Sequence, residues 1–293
     1  MADTGKERRF RGLNKGKGVD GPVAQIIIGV IMLFTVLFVM LPIMITVLSS
    51  LKTNYEAALG IWSWPRTPRW GNWLIGLQNI SSNLFNSLIV CIVATTGVVF
   101  LSSVVAYVFV RHDFPGKETI FYAIIALMII PGVLTLTPQY LLILNLKIKN
   151  TWWALILPYI SGGQVGAIFL FRTFMSQQPN ELFEAAKIDG AGDLTMYARI
   201  AVPLAIPVLA IQAVGSFGAY YNDYLWPMLA IDTQSKQTLM PILRALTTQI
   251  AGVYDEQGVI HSMYLLSGIP LIFTTALGLK YFISGDFAAG LKL

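Results

Sequence analysis

Charge is what this sequence has least of. Only 12% of its 293 residues are Asp, Glu, Lys or Arg, about half the roughly 25% usual in a soluble domain. With 55% hydrophobic residues and a mean hydropathy of +0.66, this shortage argues against a water-soluble enzyme. It also excludes disorder, which needs low hydrophobicity and high charge. A single cysteine, Cys91, excludes a disulfide framework and a cysteine-based metal site. The two histidines, His112 and His261, lie too far apart in sequence to build a zinc site alone. The three Gly-Lys pairs are followed by Glu7, Gly18 and Glu118, so the phosphate-cradling Gly-x-x-x-x-Gly-Lys-Ser/Thr is missing. Gly-x-Ser-x-Gly, HExxH and CxxC are missing too, which leaves an intramembrane hydrolase unsupported.

What is present is a series of long apolar runs. A helix crossing about 30 Å of hydrocarbon needs about 20 apolar residues, and backbone groups in lipid must be satisfied within the helix. Six runs qualify: 21–51 with its core at 23–48, 84–110, 119–146, 150–171, 200–231 interrupted by Asp223, and 258–279. The stretch 70–83, rich in Trp, Asn, Gly and Ser, reads as an interfacial loop. The expectation is an all-α bundle of six transmembrane helices, 23–293, behind a basic leader at 1–22. Gly162-x-x-x-Gly166 permits close helix approach or is ordinary small-residue packing. Prolines at 42, 131, 138, 158, 203, 207 and 270 suggest bent, movable helices in a packed bundle.

Lysine and arginine mark the cytoplasmic side. With the N-terminus inside, Lys6, Arg8, Arg9, Arg11, Lys15, Lys17, Arg111, Lys117, Arg172, Lys187, Arg199, Lys280 and Lys292 are internal, thirteen of the 20 basic residues. Both termini are then cytoplasmic. The net charge of +5 reads as this topology signal, and nucleic acid is not an expected partner.

One inner loop is unusual. Residues 172–199 read RTFMSQQPNELFEAAKIDGAGDLTMYAR. Pro179 and Glu181 suit a first helical turn. Leu182, Phe183 and Ala186, with Ala185, fall at the spacing of one apolar face, and Gly190 offers a stop. A second short helix is expected from Asp193 to about Arg199. The loop is either a helical hairpin lying on the bilayer or a knob for a cytosolic partner. Ala185 and Ala186 would let such a partner approach, and Glu184 and Asp189 would meet basic groups on it.

ELFEAAKIDGAG followed by IAVPLAIP resembles the EAA loop of bacterial ABC-importer permeases, matching at Glu184, Ala185, Ala186, Asp189, Gly190, Ala191 and Pro203. Asn86-Ser87-Leu88, Ala106-Tyr107 before Arg111, Phe114 and Gly116-Lys117, Asn150-Thr151 and Asn222-Asp223-Tyr224-Leu225-Trp226-Pro227 resemble the MalG-like carbohydrate branch. Tyr221 stands where that family often has Trp, and the Phe287–Leu293 tail departs from its usual ending. No motif singles out one member or one sugar.

The resemblance implies a type I importer (MetI-like) permease fold in the bacterial inner membrane. It implies a second, non-identical permease, two ATPase subunits that hold ATP and magnesium, and a periplasmic or extracellular solute-binding protein. This chain would carry no cofactor and no catalytic residue. Its coupling residues would be Glu181, Glu184, Ala185, Ala186, Asp189 and Gly190, and its cargo a sugar or oligosaccharide.

Asp223, the main ionisable residue in an apolar stretch, is a functional candidate by that placement. It forms a candidate substrate path with Tyr220, Asn222 and Trp226; the alternative is that it lies at the outer interface or holds a bent helix by hydrogen bonds. Trp62, Trp64, Trp70 and Trp73 would anchor at the lipid interface or touch the binding protein. The rival class is an ion-coupled secondary transporter, which needs midplane charges and repeated halves.

Overall fold

The computed structural model describes residues 22–253 and 256–283. Among these every regular element is helical. The long helices are α1 (Pro22–Ser50), α3 (Gly71–Arg111), α6 (Trp153–Met175), α9 (Val202–Asn222) and α12 (Gln257–Ile283). Shorter ones are α2 (Asn54–Ala58), α4 (Lys117–Ala126), α5 (Gly132–Asn145), α7 (Asn180–Ile188), α8 (Asp193–Met196), α10 (Leu225–Ala230) and α11 (Leu239–Val253). Five continuous helices are long and apolar enough to cross a membrane; α4 and α5, bent by 102° at their break, make a sixth only if the pair acts as one span. The leader, apart from Pro22, lies outside the described residues, as does the 287–293 tail.

Three boundaries differ from the sequence expectation. The stretch 70–83 is helical and forms the first turns of α3. Its polar side chains are used inward: Asn72 Nδ2 donates to the carbonyls of Ser50 (2.9 Å) and Lys52 (3.2 Å). The 119–146 run bends because Ile130, which precedes Pro131, is held in an extended conformation. The expected second hairpin helix runs on from α8 through a π-helical turn (Tyr197–Ala201) into α9 without a break.

At 41 residues α3 is about 60 Å long, twice the hydrocarbon thickness. It is the spine of the bundle and packs on α6, α9, α11 and α12. Small residues set its approach to α6. A Cβ on Gly163 would overlap the Tyr220 hydroxyl and press on Val98, and one on Gly97 would press on Ile160. Gly162 and Gly166 face open space. α1 stands apart, with Val23 to Val47 exposed on nearly every side, and meets the bundle along α12. An all-round apolar helix of this kind is suited to lipid or to a neighbouring membrane subunit.

Candidate functional site

The helices alternate in direction, so the loops collect at two ends. The 172–199 loop marks one end, where α3 and α6 finish and α4 and α8 begin. At this end α7 starts after Pro179, with Glu181 in its first turn and Lys187 in its last, both favourable to the helix dipole. Gly190, at φ +79°, reverses the chain. Its N–H donates to Lys187 (3.1 Å), and the Ala191 N–H donates to Ala186 (2.9 Å).

The inward face of α7 is narrower than the sequence suggests. Phe183 is buried, and Ala186 packs half-buried against the same core, beside Tyr107, Phe171, Met175 and Met196. Leu182 (46% exposed) and Ile188 (87%) point outward with Ala185, and Leu194 of α8 (79%) is exposed as well. Glu181, Glu184 and Asp189 are also exposed. The expected coupling residues thus share one small knob, with Ala186 on its inner side and the others on its surface.

The knob is fastened to the ends of the long helices. Arg111, closing α3, stacks its guanidinium 3.5 Å from the centre of the Phe183 ring. It also donates to the Gln178 carbonyl (3.3 Å) and to Asn180 Oδ1. Gln178 Nε2 donates to the Ala201 carbonyl in the π-helical turn (3.0 Å). Asp193 lies 3.7 Å from His112 Nε2, and the Ser103 and Tyr197 hydroxyls are bonded at 2.7 Å. Arg172 pairs with Glu118 and stacks on Phe121 at 3.8 Å. Beside Arg111 and Phe183 a cavity of about 440 Å³ opens, lined also by Tyr107, Glu184, Asp193 and Met196.

At the far end the motifs Asn86-Ser87, Asn150-Thr151 and Asn222–Pro227 lace the loops together. Asn83 and Asn86 donate to the carbonyls of Gln234, Ser235 and Gln237 at 2.8–3.0 Å, and Ser87 Oγ accepts from the Leu239 N–H at 2.7 Å. Asn150, at φ +62°, accepts from the N–H groups of Asp232 (3.2 Å) and Thr233 (3.0 Å). Tyr140 and Asp232 beside it hold the Lys149 ammonium above its ordinary range.

The four candidate substrate-path residues sit at the junction of α9, α10 and α6. Asp223 Oδ1 accepts from Leu225 N–H (3.0 Å) and Trp226 N–H (3.3 Å), capping α10, while Oδ2 accepts from the Tyr159 hydroxyl (2.8 Å). Tyr220 stacks on Tyr159 at 4.5 Å and donates to its carbonyl (2.9 Å). Trp226 is buried and donates to Ala154 (3.0 Å). Asn222 is exposed and donates to Gly218 of its own helix (2.8 Å). Three of the four therefore use their polar groups on α6 and α10, a geometry that holds a bent helix end.

Between α1 and α3, Lys52 is buried and donates to the carbonyls of Gly60 (3.2 Å) and Ile61 (2.8 Å). The Thr53 and Arg66 backbone N–H groups, donating to the Glu56 carboxylate, hold it below its ordinary pKa. Trp62, Trp64 and Trp70 are exposed, and Trp73 donates to Ser50 Oγ (3.1 Å).

Sequence reasoning missed α11. Its Leu239, Ile242, Leu243, Leu246 and Ile250 follow helical spacing, which was the available signal. Among the described residues no group of three His, Cys, Asp or Glu side chains is placed to hold a metal.

The chain resembles known proteins over most of its length. It is 30% identical over 251 residues to a probable ABC transporter permease of Pyrococcus horikoshii, covering 84% of this chain and 90% of that one. It is 29% identical over 237 residues to a diacetylchitobiose uptake system permease of Streptomyces coelicolor, covering 80% and 78%. Its fold matches a chain of a bacterial ABC transporter involved in importing the acidic polysaccharide alginate, with a TM-score of 0.76 and 19% identity over 96% of this chain and all of that one. Residues 98–284, well over half of the sequence, match the binding-protein-dependent transport system inner membrane component. The chain therefore belongs to that family, the inner-membrane permease subunits of ABC importers, which rely on partner subunits for ATP hydrolysis.

Proposed function

We propose that the chain is one of two non-identical permeases that carry a sugar or oligosaccharide into the cytoplasm by alternating access. The observation that carries the coupling reading is the α7 knob. Its inner face is sealed by Phe183 and Ala186, while Leu182, Ala185 and Ile188 form an outward apolar stripe flanked by Glu181, Glu184 and Asp189. An exposed apolar stripe with an acidic border suits a groove with basic edges on an ATPase subunit. Two ATPase subunits, each holding ATP and magnesium, would dock at this end, and both termini of the permease would lie in the cytoplasm. A solute-binding protein would deliver cargo at the far end, where the 234–239 segment is laced to α3. The carbohydrate assignment leans on the diacetylchitobiose permease among the relatives and on the Asn222–Pro227 motif.

Ala185→Arg tests the docking. It adds a long cation to the outward stripe without touching the core. The variant should insert in the membrane and pair with its partner permease but lose the ATPase subunits on co-purification. Retention of a full complement of ATPase subunits would remove the assignment of α7 as the docking element.

A further inference from the structure

Resting on the reading that α7 receives the ATPase, we infer that Arg111 is the positioning residue that makes α7 and α3 move as one body, leaving the start of α9 to deform. Arg111 is well past ordinary helix-end duty, in which an arginine favours the C-terminal dipole and points into water. Its plane lies on Phe183, the one buried aromatic of α7. Its two terminal nitrogens reach acceptors on either side of Pro179, the Gln178 carbonyl and the Asn180 side chain. The rigid proline turn that opens α7 is thereby clamped on both sides. Lysine offers neither the flat face nor the forked donors.

The second half of the device is Gln178. It is buried, and its Nε2 ties the same turn to Ala201, inside the π-helical turn ahead of Pro203 and Pro207. π-helical turns are local irregularities often found at functional sites, and the two prolines each remove a helix hydrogen bond. α9 is thus soft where Gln178 grips it, whereas α3 is continuous for 41 residues from its Arg111 terminus. Arg111 Nε and Gln178 Oε1 are both buried with no hydrogen-bond partner among the described residues. One is a donor and the other an acceptor, so the guanidinium can exchange the Gln178 main-chain carbonyl for its side-chain carbonyl and keep its hold as α9 bends. A displacement of α7 would then travel along α3 to the Asn83, Asn86 and Ser87 contacts at the far end.

The test uses the assembled importer with both permeases and both ATPase subunits. Spin labels are placed on α7 at Lys187→Cys, outside the docking stripe, and on α3 at Phe100→Cys, both exposed sites. Their separation is read by pulsed electron resonance without nucleotide and with ADP–vanadate trapped. The unmodified clamp should give one narrow separation that is the same in both states. Arg111→Lys should broaden or split it on trapping while the ATPase subunits stay bound. Phe183→Leu removes only the ring and should do the same, and combining it with Arg111→Lys should add nothing further, because both act through one contact. A narrow, unchanged separation in either variant, or a split already present with Arg111 and Phe183 intact, would overturn the inference. The Ala185→Arg variant separates the two ideas. If it keeps its ATPase subunits, the docking reading fails whatever the labels show; if it loses them and the clamp variants stay narrow, only the clamp fails.

Discussion

Gly163 on α6 is a sharp test of the packing that holds α9 to the spine. A methyl group there would overlap the Tyr220 hydroxyl and reach Val98 Cγ2 at 2.8 Å. Val98 is fully buried in the core and has nowhere to go, so Tyr220 must move. That movement breaks the bond to the Tyr159 carbonyl, worth about 0.5–1.5 kcal/mol. It also disturbs the Tyr159–Tyr220 stack, worth about 0.5–1.5 kcal/mol, and leaves an overpacked core at about 1–3 kcal/mol. These losses share one displacement and do not add in full, so Gly163→Ala should cost about 2–4 kcal/mol. Unfolding of the purified protein by titration with a denaturing detergent measures it. Tyr220→Phe alone should cost only about 1 kcal/mol, since it loses one hydrogen bond. The double variant removes the overlapping oxygen and should recover part of the Gly163→Ala loss, the remainder reflecting Val98. A neutral Gly163→Ala, or a double variant no more stable than the single, would refute this account of the α6–α9 contact.

Two further outcomes are expected. Glu56→Gln should raise hydrogen exchange over residues 53–66 at neutral pH. The Glu56 pKa is lowered in the fold, so the carboxylate's contribution is complete above the ordinary value near about 4.3 and disappears as pH falls through its lower folded value. The difference between variant and parent should therefore vanish in acid, and a pH-independent difference would count against the carboxylate's role. Asn86→Ala should strand the Ser235 carbonyl, while that of Gln237 keeps its bond from Asn83, at a cost of about 1–3 kcal/mol, seen as faster exchange in the 234–239 segment; unchanged exchange there would show that the segment does not depend on Asn86.

The five continuous spans, and the apolar run that forms the bent α4–α5 pair, were legible in the sequence because hydropathy alone picks them out. The helical hairpin within 172–199 was legible because Pro179, the 182–186 spacing and Gly190 each carry a local conformational demand. The first turns of α3 were not legible, since Asn72, Asn83 and Asn86 look like loop residues until their acceptors, 20 to 154 residues away, are known. The 102° bend hinged on which of seven scattered prolines would break a helix, and only Pro131 has its preceding residue in an extended conformation at that point. The polar groups around Asp223 drew attention as a substrate path, yet their partners on α6 and α10 emerge only in three dimensions. Arg111 was visible in the Ala106-Tyr107 motif, but its stacking on Phe183 follows from a contact spanning 72 residues, which no local pattern encodes.

The most direct measurement is import of labelled oligosaccharides into proteoliposomes carrying the full complex, with ATP and the ion gradient varied separately. Uptake should require ATP, stop with vanadate, survive collapse of the ion gradient and be lost in Ala185→Arg. Uptake that disappears when the gradient alone is collapsed with ATP held constant, or that persists undiminished in Ala185→Arg, would contradict an ATP-driven permease coupled through α7.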